Sequence, residues 1–261
     1  RWNKVYKKMG GLKDFLLPMI EPVQGKYFKD KIILDAGGGF GRLTKILLDY
    51  GAKHVFLLDA SSAVNAATDY LRGYVDRVTI IKGNLLNPPL AMNKFDIIFC
   101  HGVLHHTGDG RRSIIEMSKL LDSNKGSIIL WVYSSEGNKF TRILVNLFRK
   151  ISLRVGNWIR WRIAGIIDIL LWMLTFCIYK PLNNIFNLKE RLWYGEYFID
   201  FLFNQKINNR IDRLQMYHDF LTTGIVSYYS KQQLEQWIKE AGYKVANYFY
   251  LIKNKKRELL T

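Results

Sequence analysis

"KIILDAGGGFGRLTKILLDYG", residues 31–51, sets the fold. A short apolar run leads into the turn Asp35-Ala36-Gly37-Gly38-Gly39-Phe40-Gly41. Beyond it, "RLTKILLDYG" reads as a helix closed by Gly51. The same unit recurs down the chain. "HVFLLDA" (54–60) is a second strand with a helix after it to about Arg72, and "RVTIIKGN" (77–84) is a third. "FDIIFCHG" (95–102) is a fourth, followed by the helix "RRSIIEMSKLL", and "GSIILWVY" (126–133) is a fifth. Apolar strands alternating with helices predict parallel strands buried on both faces by their crossovers, so the expected architecture is a doubly wound, mostly parallel α/β sheet of Rossmann-like form.

This regularity fails from Ser134 to about Ser227 and resumes with "SKQQLEQWIKEAGYK", where Ser230 suits a helix cap and Gly242 a helix end, followed by the strand pattern "VANYFYLI". The expected organisation is therefore a basic N-terminal segment (1–30), a sheet domain formed by 31–133 and 228–261, and a largely helical insertion (134–227). Only one long strand, "KVANYFYLIKNKK", follows the last helix.

The 261 residues are 49% hydrophobic and 23% charged, values of a chain that folds around a core. Cys100 and Cys177 lie far apart in apolar surroundings, giving neither a disulfide framework nor a metal-binding CxxC, and fit a reducing cytoplasm. The first residues, "RWNKVYKK", are basic and aromatic with no apolar h-region behind them, and do not read as a secretory signal. A net charge of +17 attracts anionic partners without choosing among nucleic acid, acidic phospholipid and phosphorylated substrates.

In an open α/β sheet the turn after the first strand is a ligand site, where glycines allow close backbone approach. Asp59 ends the second strand at the roughly 20-residue interval at which a carboxylate takes ribose hydroxyls. A dinucleotide fits poorly. The third glycine of GxGxxG is replaced by Arg42, and Asp35 at the foot of the turn would repel a pyrophosphate while suiting a ligand that carries an ammonium group.

"LDAGGGFGR", "LLDAS", "KGNLL" and "FDIIFCHGVLHHT", in this order and spacing, resemble the motifs of class I S-adenosylmethionine-dependent methyltransferases, most of all the branch of quinone and other small-molecule enzymes in which a "VLHH" loop follows the fourth strand. The resemblance covers 31–133 well and the last helix and strand loosely, and leaves the insertion out. It implies S-adenosylmethionine as cofactor. Asp35 and the backbone of Gly37 and Gly39, with Gly41 closing the turn, would hold its methionine end. Asp59, next to Ala60, would take the ribose, and Asn84 and Leu85 would meet the adenine. Asn84 stands where the family usually has aspartate, a weaker acceptor for the adenine amino group. Cys100 and His101 would lie beside the sulfonium.

"NPPL" (87–90) looks like the Asn-Pro-Pro-aromatic box of amino-methyltransferases, but it precedes the fourth strand and ends in Leu90, so a rigid turn explains it. His101, His105 and His106 do not form a metal site, because neighbouring strand residues face opposite ways and no carboxylate or cysteine stands at ligand spacing. His105, slightly ahead of His106, is the candidate base if the acceptor must lose a proton.

Between the fifth strand and the last helix such a fold carries its acceptor cap. "ILVNLFRKISLRVGNWI" places Leu144, Leu147, Phe148, Ile151, Val155 and Trp158 at helical spacing among basic residues. "IAGIIDILLWMLTFCIY" (163–179) has an aliphatic stripe opposite Asp168, Trp172, Thr175 and Tyr179, and is short of the roughly 20 residues a transmembrane span needs. The helices are expected to cap the sheet, lie on an anionic membrane or enclose a greasy acceptor. Tyr133, Tyr217, His218 and Asp219 are candidate substrate residues. The expected function is methyl transfer to oxygen, nitrogen or carbon of a small or amphipathic acceptor by a cytoplasmic enzyme, either free or peripheral at the membrane. An RNA methyltransferase, for which net charge alone speaks, and a non-catalytic cofactor-binding scaffold are the alternatives.

Overall fold

The structure, a computed structural model, describes residues 25–123, 125–136, 139–186, 210–224 and 226–246. Five parallel strands, β1 (Ile32–Ala36), β2 (His54–Asp59), β3 (Val78–Lys82), β4 (Ile97–His101) and β5 (Ser127–Trp131), form one sheet in the order β3-β2-β1-β4-β5. The order reverses between β1 and β4, so the carboxyl ends of these two strands open the crevice where such sheets bind ligands.

Strand alternation builds two cores. On one side Ile33 of β1 with Ile97 and Phe99 of β4 pack against α1 (Arg42–Asp49) and α2 (Ala63–Tyr70). On the other side Leu34, Ala36, Ile98 and Cys100 pack against α3 (Gly110–Leu120). Phe28 is fully buried in the first core, edge-on to Phe99, so the sheet domain reaches back beyond the expected start at residue 31. Residues 1–24 of the expected basic segment lie outside the described residues, as does the expected last strand from residue 247 on.

The chain leaves the sheet after β5 and returns at Tyr229, which pairs with Ser134. In between it is helical: α4 (Lys139–Ser152), α5 (Asn157–Met173) running through a π-helical stretch (Leu174–Tyr179) into α6 (Lys180–Phe186), then α7 (Arg210–Thr222). The single amphipathic helix expected over 143–159 is two. Gly156, with extended backbone (φ −67°, ψ 157°), starts α5, and Arg160 stabilises the corner by donating to the Ser152 and Leu153 carbonyls. The second segment is also longer than expected, since helix is continuous over the 30 residues Asn157–Phe186.

α5 lies against α7 with Ala164, Asp168, Tyr217 and Leu221 buried. Asp168 accepts from Arg213 Nε at 2.8 Å and Arg210 Nε at 3.3 Å. The last helix, α8 (Lys231–Glu240), packs on α3 and opens with a full capping box: Ser230 Oγ accepts from the Gln233 N–H, and Gln233 Oε1 from the Ser230 N–H.

Candidate active site

Pleating decides which side chains reach the crevice. Asp35 is in register with Leu57 of β2 and Phe99 of β4, on the α1 side of the sheet, and His101 projects to that same side two residues beyond Phe99. Cys100 therefore faces the opposite way. It is fully buried among Leu34, Ala36, Leu104 and Met117, and burial pushes its thiol up to about 12, so the expected place for Cys100 beside the cofactor is corrected to a core position.

Asp35 sits beneath the glycine turn, 1% exposed, and accepts from Thr44 Oγ1 of α1 at 2.5 Å. Burial raises its pKa to about 6; the Thr44 hydrogen bond lowers it and nearby Asp59 raises it further. A cation arriving at this carboxylate relieves that strain and pulls the pKa down again. The turn above holds itself together: the Gly37 and Gly38 N–H groups donate to Leu58 O, and the Gly39 N–H donates to Asp59 Oδ2 at 2.9 Å. Gly37 has φ +85°, and a Cβ there would lie 2.3 Å from Val103 Cγ2, so only glycine fits. A Cβ on Gly39 would meet nothing within 4 Å, which leaves open backbone facing the crevice. Gly41, also at positive φ, starts α1.

Asp59 takes the Ser61 N–H at 2.8 Å and Ser61 Oγ at 2.6 Å on its other oxygen, and exposed Ala60 follows it. Oδ1 is thereby filled, and Oδ2, which accepts only from Gly39, keeps a lone pair for a ribose hydroxyl. Asn84 is exposed with its amide oxygen accepting from the Leu86 N–H at 2.9 Å, so the expected adenine acceptor is already shared with its own turn. The Leu85 side chain is spent in the second core and offers the adenine only backbone. Two carboxylates and open glycine backbone, at the strand-order reversal, fit a cofactor bearing ammonium and sulfonium charge and a ribose; they do not fit a diphosphate.

Beyond β4 and β5 the structure assembles an aromatic box. His101 stacks on Trp131 (4.8 Å between centroids, 13°) and His105 on Tyr133 (3.9 Å, 23°). His106 stands edge-on to Tyr133, and Tyr228 stacks on the far side of the group. Burial lowers the His101 pKa to about 4, with Arg42 adding to the effect. His105 is fully buried on a short 3₁₀ turn (Leu104–His106). Its Nδ1 accepts weakly from the Tyr133 N–H at 3.4 Å, and its Nε2 has no hydrogen-bond partner among the described residues. Burial first, then the neighbouring His106, His101 and Arg149, lower its pKa to about 3. Such a ring is neutral and a weak base at pH 7, so of the two candidate bases the partly exposed His106 is the better suited. Among the described residues no group of three His, Cys, Asp or Glu side chains is placed to hold a metal ion.

The expected substrate residues divide. Tyr133 joins the box. Tyr217 is buried between α5 and α7, and His218 stacks on Trp161 (4.1 Å) and bonds Asn157 Oδ1 through Nε2 at 2.7 Å, so both fasten the insertion together instead of lining the pocket mouth. Asp219 is on α7; its side chain lies outside the described residues. Sequence reasoning missed Thr44, whose hydroxyl follows Asp35 by a turn and a helix start, and Trp131 and Tyr228, which only tertiary pairing brings to the histidines. The period-two pattern of β4 already separates Cys100 from His101.

Residues 34–130 match the family described as "Methyltransferase domain". Protein arginine N-methyltransferase 1 of Saccharomyces cerevisiae is 42% identical over 73 residues, 27% of this chain and 21% of that protein. The enzyme of the same name from Chlamydomonas reinhardtii is 44% identical over 73 residues, again 27% and 21%. Among solved structures, the YcgJ protein of Bacillus subtilis aligns with a TM-score of 0.43 at 22% identity, covering 51% of this chain and 58% of that one. The chain spans about a fifth of the length of the curated relatives it matches. The matched family, the glycine turn with its two carboxylates and the sheet order agree: residues 34–130 form a domain of the class I S-adenosylmethionine-dependent methyltransferases, with S-adenosylmethionine as its cofactor.

Proposed function

We propose that this protein methylates an oxygen, nitrogen or carbon of a small aromatic or amphipathic acceptor held in the box formed by His101, Trp131, His105, Tyr133, His106 and Tyr228. The box is the observation that carries the reading. Flat rings gathered beyond β4 and β5, of which His101, Trp131, Tyr133, His106 and Tyr228 are partly exposed, offer stacking surface to a ring or an unsaturated acceptor. The cofactor supplies an activated methyl group, so the protein's part is alignment and exclusion of water. His106 takes the proton when the acceptor is a hydroxyl or an acidic carbon.

A second reading, methylation of an arginine in a protein, draws on the 42% identity over 73 residues. A guanidinium acceptor is always cationic and is gripped by carboxylates, and none of the six box residues is one. The test is transfer of labelled methyl groups from S-adenosylmethionine into lysate sorted into small-molecule, lipid, RNA and protein fractions. Label in the small-molecule or lipid fraction is expected. Label confined to RNA or to protein overturns the proposal, and none anywhere despite cofactor binding favours a non-catalytic scaffold.

A further inference from the structure

The helical run Asn157–Phe186 is apolar on both sides. Towards the body of the insertion, Ile163, Ile167 and Leu171 pack around Ala164, Tyr217 and Leu221, with Asp168 (3% exposed) and Thr175 buried on the same side. A second aliphatic face points outward, Ile166 at 57%, Leu170 at 59% and Ile185 at 71% exposed, with Leu174 and Ile178 about half exposed between them. A helix that only capped the sheet would bury its one apolar side and present polar residues to water. The outward face continues for 30 residues, about 45 Å at helical rise. Exposed Leu147, Phe148 and Ile151 of α4 add to the insertion's uncovered apolar surface. Contiguous apolar surface on this scale marks an interaction site.

Charge identifies the occupant. Residues 139–186 contain five Lys or Arg in 139–154, three more in 160–180, and a single carboxylate, Asp168, which is buried and paired. Lys150, Arg154, Arg162 and Lys180 are exposed. Arg162 lies over Trp158 (5.2 Å) near one end of the outward face and Lys180 over Phe176 (4.0 Å) towards the other, aromatic and basic pairings suited to headgroup depth. A cavity of about 350 Å³ on the flank sets exposed Arg210 beside Trp172 and Ile169.

We infer that this face docks in the plane of an anionic phospholipid bilayer. It does not span. α7 packs along α5 and brings Arg210, Arg213 and His218 against it, so hydrocarbon around α5 would have to accommodate them as well. One flank therefore stays with the protein while the other enters the headgroup boundary. The inference goes beyond the methyl-transfer proposal and does not depend on it.

The test is co-sedimentation of the full chain with vesicles of phosphatidylcholine alone and with 30% phosphatidylglycerol added, in low and high salt, beside a variant carrying Ile166→Glu, Leu170→Glu and Ile185→Glu. These sites are exposed, and calorimetry with S-adenosylmethionine reports whether the variant still folds. Binding to the anionic vesicles is expected, weakened by salt and reduced at least about tenfold in the variant. Three results overturn the inference: no binding to either vesicle; binding that the three glutamates leave unchanged; or a wild-type dimer in sedimentation that the variant dissociates, which would make a second copy the occupant. Protease protection of the α5–α6 run in sealed vesicles would overturn the in-plane geometry. Vesicle binding without methyl transfer, or the reverse, separates this inference from the functional proposal.

Discussion

Asp35→Asn tests the electrostatic basis of the cofactor site through two effects of opposite sign. The substitution keeps the shape and an oxygen that accepts from Thr44 Oγ1, and removes only the charge. Asp35 titrates from 3.8 to about 6 on folding, chiefly because burial disfavours its ionised form. A raised pKa means that the folded state holds the proton more tightly. The group's contribution is full below pH 3.8 and is lost as pH rises through about 6. At 1.36 kcal/mol per unit the difference is about 3 kcal/mol, an upper figure. Measured as the stability of Asp35→Asn minus that of wild type, it should rise by up to about 3 kcal/mol between pH 4 and pH 8. Cofactor binding should move the other way. Loss of a charge-assisted hydrogen bond to the ammonium group removes about 1.5–3 kcal/mol, or roughly 10- to 100-fold in Kd. Denaturant titrations at the two pH values and calorimetry with S-adenosylmethionine at pH 8 measure both. If the variant keeps wild-type affinity, the carboxylate serves only to fix Thr44 and the ligand argument fails; if stability shows no pH-dependent difference, the burial argument fails.

Wild-type affinity for S-adenosylmethionine should weaken by about tenfold per unit as pH falls below about 6, because Asp35 must ionise to bind, and calorimetry should find no such slope in Asp35→Asn. Gly37→Ala sets a Cβ 2.3 Å from Val103 Cγ2 at φ +85°, so it should lower Tm and abolish cofactor binding, with wild-type melting refuting the cramped turn. Asp168→Ala removes the carboxylate that accepts from Arg210 and Arg213 and should destabilise the insertion by about 1.5–3 kcal/mol, read as a lower midpoint in urea. His106→Gln should reduce kcat for a hydroxyl acceptor by about 10²-fold or more with the loss recovered towards high pH, whereas His105→Gln should act on stability and not on the pH profile.

The sheet domain was legible because its determinants are local. Strand runs, the glycine turn, Asp59 at the end of β2 and the Ser230–Gln233 cap depend on residues a few positions apart, and each occupies its expected element. The side of β4 on which Cys100 falls was also written in the alternation, although the family resemblance drew both Cys100 and His101 to the cofactor. What only tertiary structure decided depends on partners distant in sequence. The aromatic box needs β5 beside β4 and the return of the chain at Tyr229 before Trp131 and Tyr228 can meet the histidines. The burial that makes His105 a poor base comes from the same convergence. In α5 the helical period separates Asp168 from the isoleucines and stops there. A helix wheel has no inside until a neighbour covers one side, and α7, whose two arginines lie more than forty residues on, turned the aspartate inward and split the aliphatic stripe, covering Ile163, Ile167 and Leu171 and leaving Ile166, Leu170, Leu174 and Ile178 outside.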